Sequence, residues 1–119
     1  MRFTESHEWI KLQGKIGIVG ITQHAQKELG EIVFVELPKV GAKVKKGDEV
    51  CVLESTKAAA DVYAPISGKI SAVNEAVKKS PSFINQSAES DGWLFQIEVD
   101  NPSEVEKLLS RTEYETLIS

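Results

Sequence analysis

The chain has 119 residues, of which 41% are hydrophobic and 27% charged, enough for one domain with its own core and too apolar for wholesale disorder. Fourteen basic against eighteen acidic residues give a net charge of −4, which argues against non-specific nucleic-acid binding. A single cysteine, Cys51, leaves no internal disulfide framework, and His7, His24 and Cys51 lack metal-ligand spacing. No apolar run approaches the ~20 residues of a membrane helix, so no membrane span is expected. The opening Met1-Arg2-Phe3-Thr4-Glu5 shows neither a signal core nor a transit pattern, so a cytoplasmic address is expected.

In chain order, Lys15 to Gly20 is the first β-branched run, bounded by glycine. Thr22 to Leu29 reads as a short helix, with Thr22 as cap and Gly30 just past its end. Glu31 to Leu37 is a stronger strand that stops at Pro38, which has no N–H for a ladder. Its near-continuous apolar character predicts that both faces are covered. Val50 to Leu53, Val62 to Ala64 and Ile70 to Val73 are further short strands. Ser80-Pro81-Ser82 opens a helical turn. Leu94 to Val99 follows, with Phe95, Ile97 and Val99 forming an apolar face.

Asn101-Pro102-Ser103-Glu104 reads as a helix start, and Val105, Leu108 and Leu109 mark its buried side. Thr112 restarts the pattern, with Tyr114, Leu117 and Ile118 as the apolar stripe. Many short strands punctuated by Gly and Pro predict a mainly β fold, a flattened barrel or sandwich with short peripheral and C-terminal helices. The expected organisation is one domain over residues 1–119, with a hairpin region near 31–74 and C-terminal helices near 102–118.

A weak internal symmetry, with a glycine-bearing turn at Val40-Gly41 in one half and at Ser67-Gly68 in the other, places Glu54 to Ala59 between two similar apolar halves, at the tip of a hairpin. There Lys57 stands among Ser55, Thr56, Ala58, Ala59 and Ala60. An unpaired ammonium is too costly to bury, so Lys57 must reach water. Small neighbours leave it open to another protein's active site. Those are the demands of a lysine that is chemically modified; on spacing alone, a solubilising turn lysine meets them too.

Gly41, Val44, Gly47-Asp48, Val50, Glu54, Lys57, Val62, Ala64-Pro65, Gly68 and Ile70 resemble the lipoyl and biotinyl carrier domains. Thr56 and Ala58, where biotinyl domains carry methionine, resemble the lipoyl branch. Beyond that core, Ser6-His7-Glu8-Trp9, Val19-Gly20-Ile21-Thr22, Val33-Phe34-Val35-Glu36-Leu37-Pro38, Glu54-Ser55-Thr56-Lys57-Ala58, Asp61-Val62-Tyr63-Ala64-Pro65, Val73-Asn74-Glu75-Ala76 and Gly92-Trp93-Leu94 fall in order. Over nearly the whole chain the sequence is similar to the glycine cleavage system H proteins.

That resemblance implies a carrier rather than an enzyme. Lipoate would be attached covalently to Lys57, and Glu54 would assist recognition by the lipoyl-attaching enzymes. The implied partners are a glycine decarboxylase (P protein), an aminomethyltransferase (T protein) and a dihydrolipoyl dehydrogenase (L protein), between which the lipoyl arm carries an aminomethyl group. Ser6, Glu8 and Asp61 match positions of the cleft that shelters the loaded arm. As plain residues, Glu8 reads equally well as a solvated charge beside a strand, and Asp61 as a strand flank. The chain is expected to be a monomer. Gln86 to Asp91 departs from the family, lacking the Pro-Tyr pair usual before Gly-Trp. Two other functions fit the same hairpin: a lipoyl donor or relay, and an unmodified interaction module. Intact Glu54 and Lys57 count against the second. Cys51, in an apolar strand, is expected to be buried and inert.

Overall fold

In the computed structural model, which describes residues 1–119, the apolar runs assemble into two sheets sharing one core. The N-terminus supplies β1 (Arg2–Phe3) and β2 (Glu8–Gln13), followed by β3 (Ile16–Ile21) and α1 (Gln23–Leu29). Next come β4 (Ile32–Glu36), β5 (Lys43–Val44), β6 (Glu49–Ser55), β7 (Ala59–Tyr63) and β8 (Gly68–Val73). Helices α2 (Glu75–Lys79) and α3 (Ser82–Ser87), strand β9 (Phe95–Val99), and helices α4 (Ser103–Glu106) and α5 (Arg111–Ile118) complete the chain.

One sheet has the order β1-β2-β3-β9-β8-β5 and the other β4-β6-β7, so the fold is an open two-sheet sandwich rather than a closed barrel. All the pairings are antiparallel. The core draws Ile10, Val19, Phe95, Ile97 and Ile70 from the larger sheet and Ile32, Val35, Leu53 and Val62 from the smaller. The predicted face of β9 is borne out, with Phe95, Ile97 and Val99 buried and Glu98 exposed. No helix is long and apolar enough to cross a membrane.

Three expectations need correction. Strand β4 is not covered on both faces. Its register against β6 shifts between Ile32 and Phe34, and this bulge turns two successive residues outward. Ile32 and Val35 are buried, whereas Val33 and Phe34 are 50% and 48% exposed. Gly68 does not make a turn; it opens β8, where a Cβ would stand 2.1 Å from the Glu98 carbonyl oxygen. Strands β8 and β9 can pair at this point only because residue 68 has no side chain.

At the C-terminus, the second helix is capped by Ser110 and not Thr112. Ser110 Oγ accepts from the Glu113 N–H, and Glu113 Oε1 accepts from the Ser110 N–H. Hydrogen bonding from Ser110, its backbone N–H first, also holds the Glu113 carboxyl below its ordinary pKa. Of the predicted stripe only Tyr114 is buried, and Leu117 is exposed. Tyr114 stacks on Phe3, with ring centroids 4.9 Å apart, while Phe3 and Leu109 exchange two backbone hydrogen bonds of 2.9 Å. The chain's last helix thus braces its first strand.

Strands β1 and β2 are absent from the sequence reading. β1 is only two residues long, and β2 opens on Glu8, a charged residue pointing inward.

Candidate functional site

The hairpin of β6 and β7 pairs without interruption from Cys51↔Val62 to Glu54↔Ala59. Beyond that rung Ser55 closes the turn. Its N–H donates to the Ala58 carbonyl at 2.8 Å, and its hydroxyl donates to the same oxygen at 3.1 Å. Ser55 Oγ in turn accepts from the N–H groups of Lys57 and Ala58, at 3.1 and 3.0 Å. One serine side chain therefore fills its whole hydrogen-bonding capacity within the tip. The Thr56 N–H donates to the Glu31 carbonyl at 3.0 Å, which moors the tip to the approach to β4.

Lys57 is exposed, as its charge requires, and forms no ion pair. Its stem lies against Gly30, where a Cβ would come within 3.1 Å of Lys57 Cε. Gly30 follows α1 at φ 82° and ψ −156°, a conformation that excludes nearly every residue with a side chain. The predicted helix is confirmed in detail: Thr22 Oγ1 accepts from the Ala25 N–H, and the Gly30 N–H donates to the Gln26 carbonyl. Asn85 secures the same corner. Its Oδ1 accepts from the Ile32 N–H, and its Nδ2 donates to the Gly30 carbonyl and Gln26 Oε1. Glu54 is exposed on the last rung of the hairpin, opposite Phe34 on one side and Ala59 on the other.

A cleft of 260 Å³ lies between α1, the hairpin and the N-terminal turn. Leu29, next to Gly30, and Ala60 on β7 bring one end of it close to the lysine. Ile21, Ala25, Leu53 and Val62 make its walls apolar, and Ser6, Glu8 and Asp61 all line it. The three residues grouped from sequence are thus brought together.

Glu8 is no solvated charge. It is 1% exposed, and Oε1 accepts from Thr4 Oγ1 and Ser6 Oγ, both at 2.6 Å. Oε2 accepts more weakly from the Tyr63 N–H at 3.3 Å. Burial pushes its carboxyl above the ordinary pKa, opposed by these hydrogen bonds. No lysine or arginine is paired with it. Asp61 and Ser6 are exposed at the cleft's rim. A buried carboxylate without a cation, in an apolar slot with a second carboxylate at the mouth, is suited to a small guest that carries positive charge and N–H donors.

A larger groove of 610 Å³ also reaches Ser6 and Glu8, from the side of Lys46 and Lys107. It touches neither Asp61 nor the hairpin tip. Cys51 is buried and its thiol pKa is pushed up to about 12, first by burial and then by the Glu36 and Glu8 charges, as expected of an inert thiol. Trp9 packs in the interior and donates its indole N–H to the Ala88 carbonyl at 2.9 Å. The divergent segment 86–91 is secured through Glu89, which pairs with Arg111 at 2.9 Å and accepts from the Gln23 N–H at 2.8 Å.

A family model described as glycine cleavage H-protein matches residues 1–119. The chain belongs to the glycine cleavage H-protein family. A "Glycine cleavage system H protein" of Carboxydothermus hydrogenoformans is 49% identical over 118 residues, covering 99% of this chain and 91% of the relative. One of Thermotoga maritima is 50% identical over 114 residues, covering 96% and 92%. A crystal structure of a glycine cleavage system H protein from Mycobacterium marinum superposes with a TM-score of 0.88 at 38% identity, covering 96% of this chain and 92% of that one.

The geometry adds residues whose place at the site the sequence does not show. Ser55 and Gly30 shape the lysine's surroundings, and His7 and Glu28 line the cleft. His7 is flagged only by its place between Ser6 and Glu8.

Proposed function

We propose that this chain is the lipoyl-carrying shuttle of the glycine cleavage system, with lipoate in amide linkage to Lys57. The observation that carries the reading is an exposed, unpaired lysine on a rigid tip, its stem laid beside an acidic cleft, in a chain matched by the H-protein family over its full length. When bound, the lipoyl dithiolane supplies the redox and group-carrying chemistry that the polypeptide lacks.

The chain's own residues present, shelter and are recognised. Ser55 fixes the backbone at Lys57, so that an attaching enzyme meets one conformation. Amide formation there removes one positive charge, taking the formal net charge from −4 to −5. Glu54, on the adjoining rung, is the recognition carboxylate. Glu8 and Asp61 accept hydrogen bonds from the ammonium of an aminomethyl guest, with Ser6 orienting Glu8. The apolar walls limit water around it.

The partners are the glycine decarboxylase, the aminomethyltransferase, the dihydrolipoyl dehydrogenase and the lipoyl-attaching enzymes. Tethering raises the arm's local concentration in each docked active site, which is what a small shuttle contributes. Residues 1–119 act as one unit built on the hairpin region 31–74 and braced by the C-terminal helices 102–118. It works as a cytoplasmic monomer.

Lys57→Arg tests the assignment. Arginine keeps the charge but cannot form the amide, so lipoylation and aminomethyl transfer should be lost completely. Stability should stay within about 0.5 kcal/mol, as for an exposed side chain. Transfer activity retained by the arginine variant would defeat the assignment. A lipoylated wild type that passes lipoate to other proteins yet accepts no aminomethyl group would mark it as a relay.

A further inference from the structure

His7 sits between two cleft residues in the left-handed backbone region, at φ 72°, which is uncommon for a non-glycine residue. Its backbone is pinned on both sides. The His7 N–H donates to the Thr4 carbonyl at 3.2 Å, and its carbonyl accepts from the Thr22 N–H at 3.0 Å. Its ring is held as firmly. His7 Nδ1 lies 2.8 Å from the Tyr114 hydroxyl, which lies 2.7 Å from Thr22 Oγ1. Thr22 Oγ1 also accepts from the Ala25 N–H at 3.2 Å. Thr22 is 0% exposed and Tyr114 2%.

Counting hydrogens fixes the direction of this chain. The Thr22 hydroxyl carries one hydrogen, and the Tyr114 oxygen is the acceptor within reach. Tyr114 therefore receives from Thr22 and passes its own hydrogen to His7 Nδ1. Nδ1 is then the bare nitrogen, and the ring proton sits on Nε2. The opposite direction strands the Thr22 hydrogen in the interior, an unsatisfied buried donor.

We infer that His7 is a positioning residue: the relay from Thr22 through Tyr114 holds it as the neutral Nε2–H tautomer and so sets the Thr4–Glu8 turn for a cationic guest. The turn carries Ser6 and the Glu8 carboxyl, so its conformation decides where the cleft's buried charge points. Protonating His7 must place a hydrogen on Nδ1. That reverses the relay and puts an imidazolium in the cleft wall, in competition with the guest.

The charged and titratable groups around His7 are Tyr114 from α5, His24 and Glu28 from α1, Glu8 beside it in the chain and Asp61 across the cleft. His24 lies 4.9 Å from it, ring to ring, and bonds Glu28 at 2.8 Å. Burial first, then the His24 charge, lowers the His7 pKa, with Glu28 opposing. Burial, the larger influence, favours the neutral ring.

The inference takes the guest's identity from the proposed function, but the tautomer is measurable without any guest. Nitrogen-15 NMR of the histidine rings in the full-length, unlipoylated chain should show His7 as the Nε2–H tautomer, with its midpoint below the ordinary ~6.5. Tyr114→Phe keeps the stacked ring and removes the hydroxyl. It should mix the tautomers and raise the midpoint, while Thr22→Ser, which keeps a hydroxyl, should retain the wild-type signature. In the lipoylated, loaded protein, Tyr114→Phe should shorten the lifetime of the aminomethyl adduct about fivefold at neutral pH, the worth of one hydrogen bond. An Nδ1–H tautomer in the wild type would overturn the inference, as would a tautomer and midpoint unchanged by Tyr114→Phe. Loss of the proposed function would show instead as an unmodifiable Lys57 with the His7 signature intact.

Discussion

The hairpin tip and the Thr4–Glu8 turn lie at the two ends of the proposed arm site, yet they are built differently. The tip is exposed and held almost wholly by one local residue, Ser55, through bonds to Lys57 and Ala58. The turn has local bonds too, from Thr4 and Ser6 to Glu8, but it is also tied to residues distant in sequence: Tyr63 bonds Glu8, Thr22 bonds the His7 backbone, and Tyr114 bonds the His7 ring. A modification site must be presented to other enzymes, so it needs a rigid backbone and a free side chain. A site that shelters a charged guest must hold desolvated polar groups at fixed positions, which only surrounding structure can do. Around Lys57 the tip should therefore tolerate change by degrees, whereas retention of a charged guest should be sensitive to single changes in the turn.

Among substitutions that leave Lys57 in place, the largest effect is expected at Glu8. Glu8→Gln removes the buried charge while keeping shape, and retention of the aminomethyl guest should fall by about tenfold or more, as for a lost charge-assisted hydrogen bond. Folding stability at pH 7 should change by no more than about 1 kcal/mol, since relief of desolvation offsets weaker bonds to Thr4 and Ser6. The pH dependence has a definite sign. The Glu8 pKa is raised in the folded protein, so between its ordinary and raised values the folded state binds more protons than the unfolded one. The wild type should gain stability relative to Glu8→Gln as pH falls through that window, and lose it as pH rises. Paired denaturant titrations across acid and neutral pH would read the difference, and parallel curves would remove Glu8 as a strained buried carboxylate.

This asymmetry also explains what the sequence made legible. The exposed Lys57 and the capped α1 could be read because their causes are local: small neighbours, a cap residue, a terminating glycine; Glu54 was marked only by the family resemblance. Ser6, Glu8 and Asp61 could be grouped only through the family resemblance, because nothing in their spacing says that β2 and β7 meet at Tyr63. The burial of Glu8 was illegible because a carboxylate at the start of a strand reads as a solvated charge. The bulge that exposes Val33 and Phe34 was likewise illegible, since a continuous apolar run reads as buried on both faces. The role of His7 needed three hydroxyl and imidazole groups from residues 7, 22 and 114 to be seen together.

An intermediate effect is expected where the two regions meet. Gly30→Ala places a side chain in backbone geometry nearly reserved for glycine, and against Lys57 Cε. It should cost about 2 kcal/mol of stability, measured by denaturant unfolding, and slow lipoylation of Lys57 by displacing its stem. Unchanged stability and lipoylation would mean that the corner of α1 is not coupled to the lysine.

The smallest effect is expected at the tip's backbone support, with Lys57 left intact. Ser55→Ala removes exposed hydrogen bonds and should cost about 1 kcal/mol or less. Lipoylation should continue at a reduced rate, because the side chain of Lys57 remains free. A complete loss of lipoylation would show that the tip is as intolerant as the buried turn and would dissolve the contrast between them.

The central claim is tested most directly by intact mass and peptide mapping of the wild-type chain after exposure to lipoyl-attaching enzymes. A single lipoyl increment confined to the peptide containing Lys57, and absent from Lys57→Arg, is the predicted result. An unmodified Lys57 under conditions that lipoylate other carrier proteins would contradict the account.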